Sequence, residues 1–115
     1  MIETVAVGVL MSKPVAAALK DGRCGVFATV RLPSSTLVDG RIVTFDNELA
    51  LQLLSLERGD AIAIAGAVVD EAHELADGSL EEVIFEGECL MPGFATEDVC
   101  RLADAVKAQG ESPEV

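Results

Sequence analysis

Five side chains that could do chemistry fall on one face of two predicted neighbouring strands. They are Arg23, Phe27 and Arg31 in the first strand and Arg41 and Phe45 in the second. A guanidinium group pairs with a phosphate and can stack its plane on a base, while a phenylalanine ring offers a second flat surface. An ordinary solvent face rarely holds a phenylalanine between two arginines. The pattern therefore indicates a surface for single-stranded nucleic acid.

The sequence contains none of the common patterns that catalysis or metal binding would require. It has no nucleophile elbow, no Walker loop and no dinucleotide-binding fingerprint. Acid pairs such as Asp70–Glu71 read as solvated loop charges, since two carboxylates without a pocket do not form an acid–base pair. The three cysteines (Cys24, Cys89 and Cys100) form no C-x-x-C pair, and the single histidine has no ligand types beside it. We expect no enzyme, no metal and no cofactor.

Charge is distributed unevenly along the chain. The formal net charge is −12, which by itself disfavours a nucleic-acid binder. Residues 1–45 nevertheless carry five lysines and arginines against three acids, whereas residues 46–90 carry one arginine against twelve acids. An anion-binding surface must therefore lie on the first three predicted strands.

Alternating apolar residues predict five strands, and helical spacing predicts two helices. The strands are Thr4–Leu10, Arg23–Leu32, Arg41–Phe45, Ala61–Val69 and Leu80–Leu90. The first helix is Leu49–Leu56, capped by Asp46 or Asn47 and ended at the Arg58-Gly59-Asp60 turn. The second is a C-terminal helix capped by Thr96, with Val99, Leu102, Ala103 and Val106 on its apolar side. This order predicts an all-β fold: a five-stranded OB-fold barrel with a short helix between strands 3 and 4 and a C-terminal helix. The predicted division is a barrel domain over residues 1–93, a C-terminal amphipathic helix over 94–110 and a polar tail over 111–115.

The strand alternation also predicts which side chains fill the barrel. The expected core positions are Cys24, Val26, Ala28, Val30, Leu32, Ile42, Thr44, Ile62, Ile64, Gly66 and Val68. The opposite face of the fourth strand carries only alanines, whose small side chains let another surface come very close; the C-terminal helix and a second subunit are both candidates. Residues 70–79 are predicted to be the hairpin loop between the fourth and fifth strands. Gly8 in the first strand indicates a bend or a close backbone approach.

Two stretches resemble the bacterial single-stranded-DNA-binding protein (SSB) family. They are "VGVLMSKP" (residues 7–14) and "RIVTFDNELALQLLSLERGDAIAIAGAVV" (residues 41–69). The resemblance implies that the face carried by the second and third strands meets DNA and that Phe45 stacks on a base. It also places His73 near an aromatic position of the family's hairpin between strands four and five, where the side chain either stacks or is simply solvated. The chain departs from the family in having no tryptophan or tyrosine, an acidic hairpin and no Pro-Phe tip at its C-terminus.

These observations lead to one expected function and one alternative. We expect non-specific binding of single-stranded DNA, of the SSB type, in DNA replication, recombination or repair, with nucleic-acid-binding residues Arg23, Phe27, Arg31, Arg41, Phe45 and His73. The alternative is an acidic OB-fold interaction module that has lost DNA binding and has a protein partner in a replication or mobile-element complex. Exposed strand edges predict a homodimer or homotetramer. The lack of a secretory signal and of an apolar run of roughly 18 residues predicts a cytoplasmic protein with no membrane partner.

Overall fold

The computed structural model describes residues 4–32, 38–91 and 97–110. In chain order the elements are β1 (Thr4–Leu10), β2 (Val15–Ala18), β3 (Cys24–Leu32), β4 (Val38–Thr44), α1 (Asn47–Leu54), β5 (Ala61–Glu74), β6 (Leu80–Leu90) and α2 (Glu97–Gly110). Within these residues no helix is both long and apolar enough to cross a bilayer.

Five strands close into a barrel, as predicted. Neighbours follow the order β1–β5–β6–β4–β3, and a further pairing of β1 with β3 closes the ring. The β4–β6 pairing is parallel, while the other pairings in the ring are antiparallel. The short β2, which the sequence analysis did not assign as a strand, pairs with β3 outside the ring. A Cβ atom at Gly8 would overlap the carbonyl oxygen of Arg31, so the predicted close approach lies where β1 meets β3.

Helix α1 closes one part of the barrel interior. Asp46 is the N-cap, and its carboxylate accepts a hydrogen bond of 2.9 Å from the backbone N–H of Leu49. Leu49 and Leu53 are fully buried in the barrel core. The helix ends at Leu54, earlier than predicted, because the backbone N–H and hydroxyl of the C-cap Ser55 bond to the last turn.

The barrel core contains most of the positions that the alternation predicted. Its buried members are Leu10, Val26, Ala28, Val30, Ile42, Leu49, Leu53, Ile62, Ile64 and Phe85. Three predicted core positions differ. Cys24 is exposed, Leu32 is only partly buried and Val68 is 69% exposed. All three lie where a strand leaves the barrel. Their side chains follow the alternation, but among the described residues no opposite strand of the barrel faces them there.

The region predicted as a hairpin loop is largely strand. Strand β5 continues through Glu74 and pairs with β6 up to Leu80, with a register shift between Val68 and Glu71. A bulge of this kind bends the strand and increases its twist. We call residues 69–83 the hairpin arm. Its tight turn contains Gly78, whose φ of 91° lies in the left-handed region that glycine adopts easily.

Helix α2 packs against the outside of the barrel. Val99, Ala103 and Val106 form a buried cluster with Val9 of β1, and α2 also contacts β5. The guanidinium of Arg58 links the helix to the barrel, because it donates to the carbonyl oxygens of Met11 (3.2 Å) and Val106 (2.9 Å). The spacing predicted for this helix is therefore confirmed, while its predicted cap, Thr96, lies outside the described residues.

Candidate nucleic-acid interface

The register of β3 and β4 brings the predicted face together on the outside of the barrel. Phe27 lies opposite Val43, Thr29 opposite Arg41, and Arg31 opposite Asp39. Directly opposed residues of antiparallel strands project to the same side of the sheet. The structure therefore places Phe27, Arg31 and Arg41 on one surface, which is the side opposite the barrel core.

Three predicted residues form a ring-bearing group at one end of this surface. The Arg23 guanidinium carbon lies 4.3 Å from the centroid of the Phe45 ring. The His73 ring meets the same ring edge-on, with centroids 5.3 Å apart and an interplanar angle of 72°. The Arg23 side chain is 52% exposed, so the flat surface available to a ligand here includes the guanidinium plane.

Phe27 is the one predicted residue that is hidden from solvent. It is 1% exposed and belongs to a second buried cluster with Leu19, Val43 and Val83. The expectation that its ring is exposed on this face is therefore wrong, although the face itself was assigned correctly. The hairpin arm supplies part of the cover through Val69, Leu75 and Val83, and Ala17 and Leu19 pack in the same cluster.

The other two arginines of the face are engaged by carboxylates. Arg31 donates to both oxygens of Asp39, from Nε at 2.6 Å and from Nη2 at 3.1 Å. Arg41 donates from Nε to Glu81 of the hairpin arm at 2.9 Å and from Nη1 to the hydroxyl of Thr29 at 3.1 Å. An incoming phosphate would have to replace these carboxylates or share the guanidinium groups with them.

The Arg23 guanidinium is paired in the same way. Its Nε and Nη2 atoms both lie 2.9 Å from Oδ2 of Asp21. This hydrogen bond lowers the pKa of the Asp21 carboxyl and raises the pKa of Arg23. The bond between Arg31 and Asp39 likewise lowers the pKa of the Asp39 carboxyl. Both carboxylates therefore stay ionised, and compete for the arginines, below the pH at which an ordinary aspartate titrates.

His73 lies in strand β5 rather than in a loop. Its side chain is 12% exposed, and Nε2 lies 3.2 Å from a carboxylate oxygen of Glu71. The ring packs edge-on against Phe45 and is mostly buried, so it is not simply solvated, while its stacking on a base stays a prediction. A shallow groove of about 410 Å³ lies beside it, lined in part by Lys20 and Glu74, which form an ion pair of 3.3 Å.

Sequence reasoning missed the carboxylates that neutralise the arginines. Asp39 could have been found from register alone, because a hairpin closing after Leu32 places it opposite Arg31. Asp21 stands two residues before Arg23, close enough for a turn to join them. Glu81 had no such signal, because it reaches Arg41 only when the hairpin arm folds over β4.

Comparisons with known proteins address the fold. No family model matches the chain, and no curated protein sequence matches it. The single-stranded DNA binding protein from Thermus aquaticus superposes with a TM-score of 0.60 at 16% sequence identity, covering 84% of this chain and 42% of that one. A deletion mutant of the same protein gives a TM-score of 0.59 at 17% identity, with 84% and 44% covered. The chain thus spans less than half the length of these proteins, and its fold is an SSB-like OB barrel.

Proposed function

We propose that this protein binds single-stranded DNA without sequence specificity and without catalysis, through the outer face of β3 and β4. The observation that carries the proposal is the stack of Arg23 on Phe45, with His73 against the ring edge. The fold supports it, because OB barrels commonly use this kind of face for oligonucleotides. The proposed setting is DNA replication, recombination or repair in the cytoplasm.

Binding would combine stacking with an exchange of ionic partners. A base can stack on the exposed guanidinium plane of Arg23, which Phe45 supports from behind at 4.3 Å. Phosphates would take over Arg31 and Arg41 from the carboxylates of Asp39 and Glu81. Every base can stack on a flat side chain and every phosphate can pair with a guanidinium group, so this chemistry predicts little sequence preference.

A second candidate function rests on those same ion pairs. All three arginines of the face already have carboxylate partners, and the molecule carries a net charge of −12. An OB barrel with a neutralised face can act as an acidic interaction module for a basic protein of a replication or mobile-element complex. Retrieval of such a partner, with no DNA binding even at low salt, would favour this alternative.

Self-association is part of the proposal. Strand β2 is the last strand of its sheet and exposes Val15 and Ala16 at one end of an uncharged edge, while at the other end the carbonyl oxygen of Ala18 accepts a hydrogen bond from Ala76 of the hairpin arm. Edges of this kind pair readily with another strand. A homodimer or homotetramer is expected, and light scattering that gives a monomer mass at micromolar concentration would contradict it.

The direct test is an anisotropy titration of a labelled oligo-dT at low and high salt. Phe45→Leu removes the ring but keeps an apolar side chain against the second cluster, in which Phe45 is partly buried. We expect about 5- to 150-fold weaker binding, the equivalent of one lost stacking contact of about 1–3 kcal/mol. Leu51→Ala, an exposed change on α1, is the control and should bind normally. Equal affinities for the native protein and Phe45→Leu would contradict the assigned face.

A further inference from the structure

We infer that the hairpin arm is a lid over a second, hidden stacking site for a nucleobase, formed by Phe27 and Arg41. The inference rests on the proposed function and specifies how the same face is regulated. The Arg41 guanidinium carbon lies 5.8 Å from the centroid of the Phe27 ring. The pair thus has the same chemistry as Arg23 with Phe45, but its ring is 1% exposed.

The arm occupies both positions that a nucleotide would fill, the face of the Phe27 ring and the guanidinium of Arg41. Its apolar side chains, among them Leu75 and Val83, cover the Phe27 ring where a base would stack. Its Glu81 carboxylate lies 2.9 Å from Nε of Arg41, where a phosphate would bind. A carboxylate is the natural intramolecular substitute for a phosphate oxygen at a guanidinium. The closed arm and a bound nucleotide therefore exclude one another.

The arm has a bend at its base and a separate attachment near its tip. At the base, the β5–β6 ladder has a register shift between Val68 and Glu71. Near the tip, Leu75 forms an isolated bridge with Leu19, flanked by backbone hydrogen bonds of 2.9 Å from Lys20 to Glu74 and from Ala76 to Ala18. Lifting the tip breaks this bridge and the exposed Lys20–Glu74 ion pair, and the bulge is where the strands can bend.

A lid that is mostly closed would reduce the apparent affinity for DNA. A site available only in the open form binds with an affinity scaled by the open fraction. Changes that loosen the arm should therefore strengthen DNA binding, and changes that hold it closed should weaken it. A static arm would be insensitive to both.

A reversible disulfide across the bridge tests the lid directly. The hydrogen bonds that flank Leu19 and Leu75 identify them as a non-hydrogen-bonded antiparallel pair, with Cα atoms about 4.5 Å apart, within the range that a disulfide spans. The variant carries Leu19→Cys and Leu75→Cys, with the three native cysteines replaced (Cys24→Ser, Cys89→Ala and Cys100→Ser). Oligo-dT binding is measured on the same sample before and after reduction, with disulfide formation verified by mass spectrometry.

Oxidation should weaken binding by about tenfold or more, as expected when the open population falls to a tenth or less, and reduction should restore it. Equal affinity in both states, with the disulfide present, would overturn the lid while leaving DNA binding in place. If neither the oxidised nor the reduced variant binds oligo-dT, and the native protein does not bind it either, the proposed function and the lid are both overturned.

A loosening variant keeps the test decisive if the disulfide fails to form. Glu81→Gln with Leu75→Ser removes the ionic and one apolar contact of the arm, and Glu81→Gln with the exposed change Leu51→Ser is the matched control, because it frees Arg41 equally but keeps Leu75. The loosened arm should bind oligo-dT several-fold more tightly than the control. An affinity no higher than that of the control would overturn the lid.

Discussion

The ion pairs on the outer face can be released by isosteric substitution, and the consequence for DNA binding is calculable. Asp21→Asn, Asp39→Asn and Glu81→Gln keep the shape of each side chain but remove the charge that holds Arg23, Arg31 and Arg41. The asparagine at position 21 can still accept the backbone hydrogen bond that Asp21 receives. The change should therefore leave the fold intact while freeing three cations.

The effect should appear in the salt dependence. For single strands, each phosphate that a protein neutralises contributes about 0.7 to the slope of log K against log salt. In the triple variant, the three arginines bind phosphates without first releasing a carboxylate. The slope should therefore become steeper by about 2. A fourfold rise in salt should then weaken the triple variant by about 20-fold more than the native protein, and its affinity at low salt should be higher.

The assay is an anisotropy titration with oligo-dT at four or more salt concentrations. The control is Glu48→Gln with Glu57→Gln and Asp104→Asn, which changes the net charge from −12 to −9 as the test variant does, but at exposed positions outside the face. If the test and control variants share one slope, the three arginines do not contact phosphates and the assigned interface is wrong.

Two further predictions concern stability and titration. Phe27→Ala should destabilise the protein by about 3–5 kcal/mol in urea unfolding, because the ring is fully buried and its removal leaves a cavity, whereas a ring free in solvent would cost far less. Arg31→Ala should raise the pKa of Asp39 towards its ordinary value of 3.8, measured from the carboxyl carbon shift in an NMR titration. Since the pKa is lowered in the folded native protein, the ion pair stabilises the fold above pH 3.8 and that stabilisation is lost as the pH falls through the folded-state pKa; the variant should lack this part of the acid sensitivity. An unchanged Asp39 titration in the variant would show that the bond seen at 2.6 Å does not hold the carboxylate in solution.

Much of the barrel could be predicted because its evidence is local. The period-two alternation of β3 separates Val26 and Val30 from Phe27 and Arg31, and that separation is what the structure shows. The N-cap at Asp46 follows from the chemistry of the first helical turn. Short-range periodicity and capping act on neighbouring residues, so they can be read without knowing the topology.

The candidate site was harder to predict because its state depends on distant contacts. Alternation places Phe27 on the outer face but does not say what lies above that face. The answer is the hairpin arm, whose acidic sequence is typical of a loop and whose apolar residues Leu75 and Val83 are too sparse to indicate a covering surface. Glu81 in turn pairs with Arg41 across forty positions of the chain.

The sequence by itself determined the five barrel strands along the chain, helix α1, and the grouping of arginines and phenylalanines on one side of β3 and β4. Only the tertiary structure decided that Phe45 is partly exposed beneath Arg23 while Phe27 is fully buried, and that every arginine of the face has a carboxylate partner. The physical reason is that side-chain direction follows from backbone periodicity within a strand. Exposure and pairing follow instead from how a bulged hairpin bends back over the sheet.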